Sequence, residues 1–341
     1  MIQFNKPTIG KKDLESVLYC MIKDDLAPGE YLNTFTSMLS AELKISNVAA
    51  FNTYFHSFET VFHIIDASSG DEVILPSFAR RSILNCVQKC RLKPVLVDIE
   101  PDSFVPPIEK VKRKLSKNTC CIIIPQMFGI PYDLSAYHEW EIPIVEDIDG
   151  CLGSKVNGQA VGSFGTFITM NFNDHSIITT GSGGMIASQV KRLKQLMLSF
   201  KRDHGWIDYL MSDFNASLGI SQLSKLDKNI ATRKKIGDYY DNAVFASNCT
   251  LVGREEGKEL SYSSYVVKTE TPLQECVQFF KKFGIPIRRG IESPLHSFLE
   301  LDVKHYKNTE EMYAKLIALP IYPTLAREDV ENIVKGIKVI L

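Results

Sequence analysis

Four short apolar runs, separated by stretches long enough to return as helices, constrain this chain more than any other feature. They are Asp71-Glu72-Val73-Ile74-Leu75-Pro76, Lys93-Pro94-Val95-Leu96-Val97-Asp98-Ile99, Thr119 to Pro125, and Pro143-Ile144-Val145-Glu146-Asp147. Runs that are continuously apolar, without polar alternation, suit strands covered on both faces, as in a parallel sheet. A helix through Ser82 to Lys89 follows the first run. Strand, helix, strand repetition at this spacing predicts right-handed crossovers and an α/β layer fold. Further strands are expected at Gly165 to Phe172 and at Gly184-Met185-Ile186-Ala187. Leu218, Gln222, Leu226 and Ile230, spaced by four, predict one long helix from Phe214 to Tyr240. The pattern then changes. Residues 1–240 read as a large α/β domain with a mostly parallel sheet, and residues 241–341 as a small C-terminal α+β domain closed by a helix from Arg327 to Val339.

Bulk properties exclude several function classes. An apolar share of 45% and a charged share of 23% in 341 residues are those of a globular chain. A net charge of -1 argues against a nucleic-acid partner, which would need a basic stripe. The basic segment Lys110 to Lys117 carries apolar residues at helical spacing and reads as a solvated helix face. No window approaches the ~20 apolar residues of a membrane helix, and Met1 to Pro7 has no signal-peptide core. Eight scattered cysteines without CxxC spacing read as reduced thiols; Cys151 is among them, as a core thiol. Together these predict a cytoplasmic protein with no metal site and no membrane partner.

Ligands of open parallel sheets bind beyond the carboxyl ends of the strands, which directs attention to the loops after Phe51, Pro76, Gln126, Asp147 and Phe172. The motifs around those loops resemble the DegT family of sugar aminotransferases. They are Gly70 to Phe78, Pro94 to Ile99, Val145-Glu146-Asp147, Gly162-Ser163-Phe164-Gly165, Thr179 to Gly184, Met211 to Gly219, and Leu319-Pro320-Ile321-Tyr322-Pro323. They occur in order and at family spacing over almost the whole chain. The resemblance implies an aspartate-aminotransferase-like, fold-type-I scaffold and a homodimer with its site at the subunit boundary. It also implies pyridoxal phosphate or pyridoxamine phosphate as cofactor, and a sugar nucleotide as ligand. Such chemistry needs a lysine for the Schiff base and an acid at the pyridine nitrogen. It also needs a phosphate cup of backbone N–H groups at a helix N-terminus.

Matched residue by residue, this sequence departs from that pattern. The lysine position falls on Ser176, and no lysine occurs between Lys155 and Lys191. The Gly-Thr pair of the phosphate cup falls on Tyr54 and Phe55, the stacking aromatic on Arg80, and the phosphate-site serine on Asn171. The Asn and Arg that the family supplies from the neighbouring subunit fall on Asp208 and Leu210. The pyridine acid is retained as Asp147, while the Gln or His three residues later is Gly150.

The expectation is therefore a kept scaffold with an altered site: no covalently bound cofactor, and a role as a sugar-nucleotide-binding protein or as partner subunit of an active, lysine-bearing paralogue. The alternative is an enzyme of sugar-nucleotide metabolism, either a weak aminotransferase or a lysine-free dehydratase with His175 as base. Glu146 beside Asp147 reads either as a paired acid site or with Asp147 capping a loop or helix. Asp174, His175 and Ser176 are adjacent in sequence and cannot converge as a triad. Arg80, Arg81 and His56 read as an anion site or as ordinary surface and interface residues, and Arg288-Arg289 as surface charge.

Overall fold

The computed structural model describes residues 2–24, 26–200 and 208–340. Helices α1 (Lys11–Ile22) and α2 (Glu30–Leu43) lead into β1 (Asn47–Phe51) and α3 (Tyr54–Ile64). Then follow β2 (Glu72–Pro76), α4 (Arg81–Lys89), β3 (Lys93–Val97), α5 (Ile108–Lys112), β4 (Thr119–Pro125) and β5 (Ile144–Asp147). A small hairpin, β6 (Lys155–Val156) and β7 (Gln159–Ala160), precedes β8 (Phe167–Asn171), β9 (Gly184–Ser188) and α6 (Lys191–Phe200). The main sheet has seven strands in the order β1-β9-β8-β5-β4-β2-β3. β9 runs antiparallel to both neighbours, and the β8, β5, β4, β2 and β3 ladders are parallel.

Successive residues of these strands serve opposite cores, which is why the runs are apolar without alternation. Val73, Leu75, Cys121, Ile123, Val145 and Phe167 face one cluster. Ile74, Ile122, Ile124 and Ile144 face a second, and Ile168 and Met170 a third. Fully burying each such side chain contributes about 1.5–3 kcal/mol.

The expected single helix from Phe214 to Tyr240 is two helices, α7 (Asp213–Leu223) and α8 (Leu226–Val244). Lys225 leaves the helical path at φ -109°, ψ 2°. Its ammonium pairs with the buried Asp13 of α1 and donates to the Thr8 carbonyl at 3.3 Å. A tertiary ion pair thus overrides the local helical pattern. The helix expected across Lys110 to Lys117 is also shorter, ending at Lys112, with Lys110 drawn to Asp98 at 3.0 Å.

The rest of the chain forms β10 (Thr250–Leu251), β11 (Lys258–Glu259), β12 (Tyr265–Lys268), α9 (Leu273–Lys281), β13 (Arg288–Arg289), α10 (Leu295–Phe298), α11 (Lys307–Lys315), β14 (Leu316–Leu319) and α12 (Arg327–Ile340). A four-stranded antiparallel sheet runs β10-β12-β14-β13, and β11 crosses back to pair with β6. Among the described residues no helix is long and apolar enough to cross a membrane.

Candidate functional site

β1, β2, β4, β5 and β8 point the same way, so their carboxyl ends share one edge of the sheet, and the residues singled out in the sequence gather there. β1 delivers the chain to Thr53, the N-cap of α3, whose hydroxyl accepts from the His56 N–H at 3.2 Å. Tyr54 and Phe55 open the helix and diverge. Tyr54 is buried and meets Phe58 edge-on at 5.1 Å; Phe55 is only partly buried, with the Lys89 ammonium 5.3 Å from its ring. Gly184 of β9 lets the helix start rest on the sheet, because a Cβ there would lie 2.6 Å from the Tyr54 Cα. Burial and the charges of Asp147 and Asp149 push the Tyr54 phenol well above its usual range, so it stays neutral.

Arg80 occupies the N-cap position of α4, just past the end of β2, and turns its side chain to the loop after β5 instead of capping the helix. Its guanidinium donates to Oδ2 of Asp149, and the Ser176 hydroxyl donates to Oδ1 of the same carboxylate at 2.5 Å. One carboxylate therefore bridges Arg80 and Ser176, the residues that the resemblance sets at the ring-stacking and lysine positions. Ser176 Oγ also lies 3.1 Å from Asn173 Oδ1. Gly150 makes room for this arrangement: a Cβ there would sit 3.0 Å from Arg80 Nη2 and 2.8 Å from the Gln126 carbonyl. Asp149 is not among the residues that the motifs single out. Its signal was the Asp147-Ile148-Asp149 spacing, which returns a second carboxylate to the strand end beside the first.

Asp147 ends β5 and is 1% exposed. Its Oδ1 accepts from the Asp149 N–H at 3.5 Å, and its Oδ2 is buried with no hydrogen-bond partner among the described residues. Burial, reinforced by the neighbouring Asp149 charge, raises its pKa to about 7 against the opposing pull of Arg80 and Tyr54. Glu146 does not pair with it, because successive strand residues face opposite ways. Glu146 instead accepts from the backbone N–H groups of Gly162 (2.9 Å), Phe164 (3.1 Å) and Gly165 (2.9 Å), pinning that turn. The loop-capping role read for Asp147 thus belongs to Glu146.

The remaining positions lie around this centre. Asn171 ends β8, its side chain accepting from the Asn173 N–H at 3.2 Å. The His175 ring is exposed, 3.7 Å from Asp174, while its carbonyl accepts from Asn5. The exposed Asp208 accepts from the Asn52 amide through its carbonyl, and Leu210 bridges Phe51. His56 Nδ1 meets Asn52 Oδ1 at 2.6 Å, its ring lies 4.4 Å from that of Tyr209, and burial lowers its pKa. Arg81 has a carboxylate partner as Arg80 does, Glu292 at 3.5 Å. Arg288 lies over Phe4 at 4.7 Å, and Arg289 donates to the carbonyls of Tyr313 and Ala314. Cys151 is buried, and burial raises its pKa, so it remains a thiol. Among the described residues no group of His, Cys, Asp and Glu could hold a metal ion.

Comparison with known proteins gives this edge of the sheet a context. The profile of the DegT/DnrJ/EryC1/StrS aminotransferase family matches residues 7–338. GDP-perosamine synthase of Escherichia coli O157:H7 is 24% identical over 353 residues, covering 97% of this chain and 96% of that protein. The dTDP-4-dehydro-2,3,6-trideoxy-D-glucose 4-aminotransferase of Saccharopolyspora spinosa is 24% identical over 371 residues, covering 98% and 95%. Among solved structures, Spr1654 of Streptococcus pneumoniae, a proposed sugar aminotransferase in its PLP form, superposes with a TM-score of 0.91 at 23% identity. That match covers 99% of this chain and 98% of the other, and the fold is the same. The same protein has also been solved in a PMP form.

Proposed function

The chain belongs to the DegT/DnrJ/EryC1/StrS aminotransferase family, and from that premise we propose that it is a member that keeps the fold without a covalent cofactor. It acts in sugar-nucleotide and polysaccharide metabolism as a ligand-binding or partner subunit, not as a working transaminase. One observation carries this reading. The lysine position is Ser176, and its hydroxyl is engaged with Asp149, which in turn holds Arg80. A hydroxyl cannot condense with an aldehyde to an imine. The residues around it do not fit a covalently held pyridoxal phosphate either: a buried tyrosine stands in the phosphate cup, and Arg80 is committed to an internal carboxylate. Relatives whose names carry GDP- and dTDP-linked sugars support a nucleotide sugar as the ligand.

On this reading the protein is a homodimer. The outward face of α1 supports it, with Leu14, Leu18, Met21 and Ile22 each more than half exposed.

A second reading has its own observation. The unpartnered, buried Oδ2 of Asp147 is an acceptor suited to a pyridinium N–H, which favours a lysine-free dehydratase that holds pyridoxamine phosphate by contacts alone. Absorbance titration of the purified protein with pyridoxal phosphate and with pyridoxamine phosphate, alongside thermal melts, separates the two. The first reading expects no saturable spectral change and no rise in Tm up to millimolar cofactor, with a rise for a nucleotide sugar. A saturable shift with either cofactor overturns it and makes His175 the first residue to replace. Light scattering that returns the mass of one chain removes the homodimer.

A further inference from the structure

We propose that Asp149 is the residue that closes this pocket to a ring-shaped cofactor, an inference that rests on the reading of position 176 as the former lysine position. A ring that stacks on side chain 80 and condenses with an amine at position 176 must lie between those two side chains. Here a single carboxylate touches both, with Oδ2 on the Arg80 guanidinium and Oδ1 2.5 Å from Ser176 Oγ. The interval between them is one carboxylate wide. The bridge is also built in, not incidental. The Asp149 side chain is 6% exposed, and Gly150, directly after it, leaves the space that Arg80 Nη2 occupies. Charge-assisted contacts of this kind are short and directional, so the pocket carries its own counter-ion where a ligand would otherwise bind.

Restoring the amine alone therefore fails for two reasons. The space stays filled, and an ammonium at position 176 would take over the contact that Ser176 makes now. Paired with Asp149 it would stay protonated, whereas only a neutral amine attacks an aldehyde.

The test uses full-length protein as wild type, Ser176→Lys, Ser176→Lys with Asp149→Ala, and that pair with Arg80→Ala added so that no guanidinium is left unpaired. Each is incubated with pyridoxal phosphate and reduced with borohydride. The amine adds to the aldehyde carbon with loss of water, hydride reduces the resulting C=N bond, and peptide mapping locates the secondary amine, with the surface lysines of the same sample as internal standard. Ser176→Lys alone is expected to label at position 176 no more than a surface lysine does, and the variants that also lack Asp149 at least tenfold more. Equal labelling of Ser176→Lys with and without Asp149 overturns the proposal. So does absence of labelling at 176 in either Asp149-free variant whose melt shows it folded. If both fail to fold, Ser176→Lys with Asp149→Asn decides by the same criterion. Binding of pyridoxamine phosphate by the wild type would end both the function proposed above and the role given to Asp149, whereas labelling of Ser176→Lys alone would end only the role given to Asp149.

Discussion

At the end of β5 two carboxylates share one guanidinium, and the sharing is unequal. Asp149 takes Arg80 and Ser176, while Asp147 is left with one long bond and a partnerless oxygen. Burial and the Asp149 charge raise Asp147 to about 7, so the folded protein holds a proton that the unfolded chain gives up near pH 4. Between those two values the folded state binds more protons than the unfolded state, so stability falls as pH rises through the window and levels off above it. Asp147→Asn cannot ionise and should lose part of that slope, standing about 1–3 kcal/mol above wild type at pH 8 in urea unfolding. Superimposable pH profiles for the two proteins would show that the charge on Asp147 is not being held off by its surroundings. The same site shows how far residues can be read without coordinates. Ser176, Arg80 and Tyr54 stand out in the sequence because the resemblance places a chemical demand on each of their positions. Asp149 does not, because none of the cofactor contacts that the resemblance implies falls on it; only the meeting of residues 80, 149 and 176 gives it a role.

Elements in this protein are fastened by carboxylates borrowed from elsewhere in the chain. α2 begins after Gly29, which has no side chain to cap it. Asp213, at the start of α7, supplies the cap from a distance, accepting from the N–H groups of Gly29 (2.8 Å), Tyr31 (2.9 Å) and Leu32 (2.9 Å). Asp98 does the same for α11, accepting from Asn308 and Thr309. A carboxylate at a helix N-terminus satisfies orphan donors and meets the positive end of the macrodipole. Because Asp213 is fully buried, its removal strands three N–H groups, and Asp213→Ala should cost about 2–4 kcal/mol. Asp213→Asn, which keeps an acceptor without the charge, should cost less. Chemical denaturation checks both, and an alanine variant within about 0.5 kcal/mol of wild type would mean water replaces the cap. The strands of the main sheet were readable from apolar runs alone, since burial on both faces leaves a direct mark on sequence. The break between α7 and α8 was not. Neither Gly nor Pro marks Ser224-Lys225, the four-residue spacing continues through it, and the ion pair that bends the chain reaches back more than two hundred residues to Asp13.

For the molecule as a whole, the segment 261–263 ties the C-terminal sheet to the loop that carries Asp149. The Ser261 N–H donates to Ser154 Oγ at 3.0 Å, the Ser263 hydroxyl donates to the Gly150 carbonyl, and Gly129 lies so close that a Cβ would fall 2.5 Å from the Tyr262 nitrogen. α8 anchors that segment through Arg233, a buried guanidinium with no carboxylate partner among the described residues. Its Nη1 donates to the carbonyls of Tyr262 (3.2 Å), Ser263 (3.2 Å) and Ile321 (2.7 Å). Burial lowers its pKa to about 10, which still leaves it charged at neutral pH. A buried charge held by carbonyl dipoles is a costly solution, and here it joins three carbonyls from two distant stretches of chain. Its sequence neighbourhood, Thr232-Arg233-Lys234-Lys235, looks like any charged helix face and gives no hint of this. Arg233→Met keeps the apolar stem but leaves those carbonyls without a donor. It should destabilise the protein by about 2–4 kcal/mol, with Arg233→Lys intermediate. Amide exchange in residues 261–263 and at Ile321 should quicken more than in β4, since the loss is local to the joint. Uniform acceleration across the main sheet would instead make Arg233 part of a single cooperative core, and the joint between the two sheets would then have to be sought in the Ser154, Ser261 and Gly150 contacts.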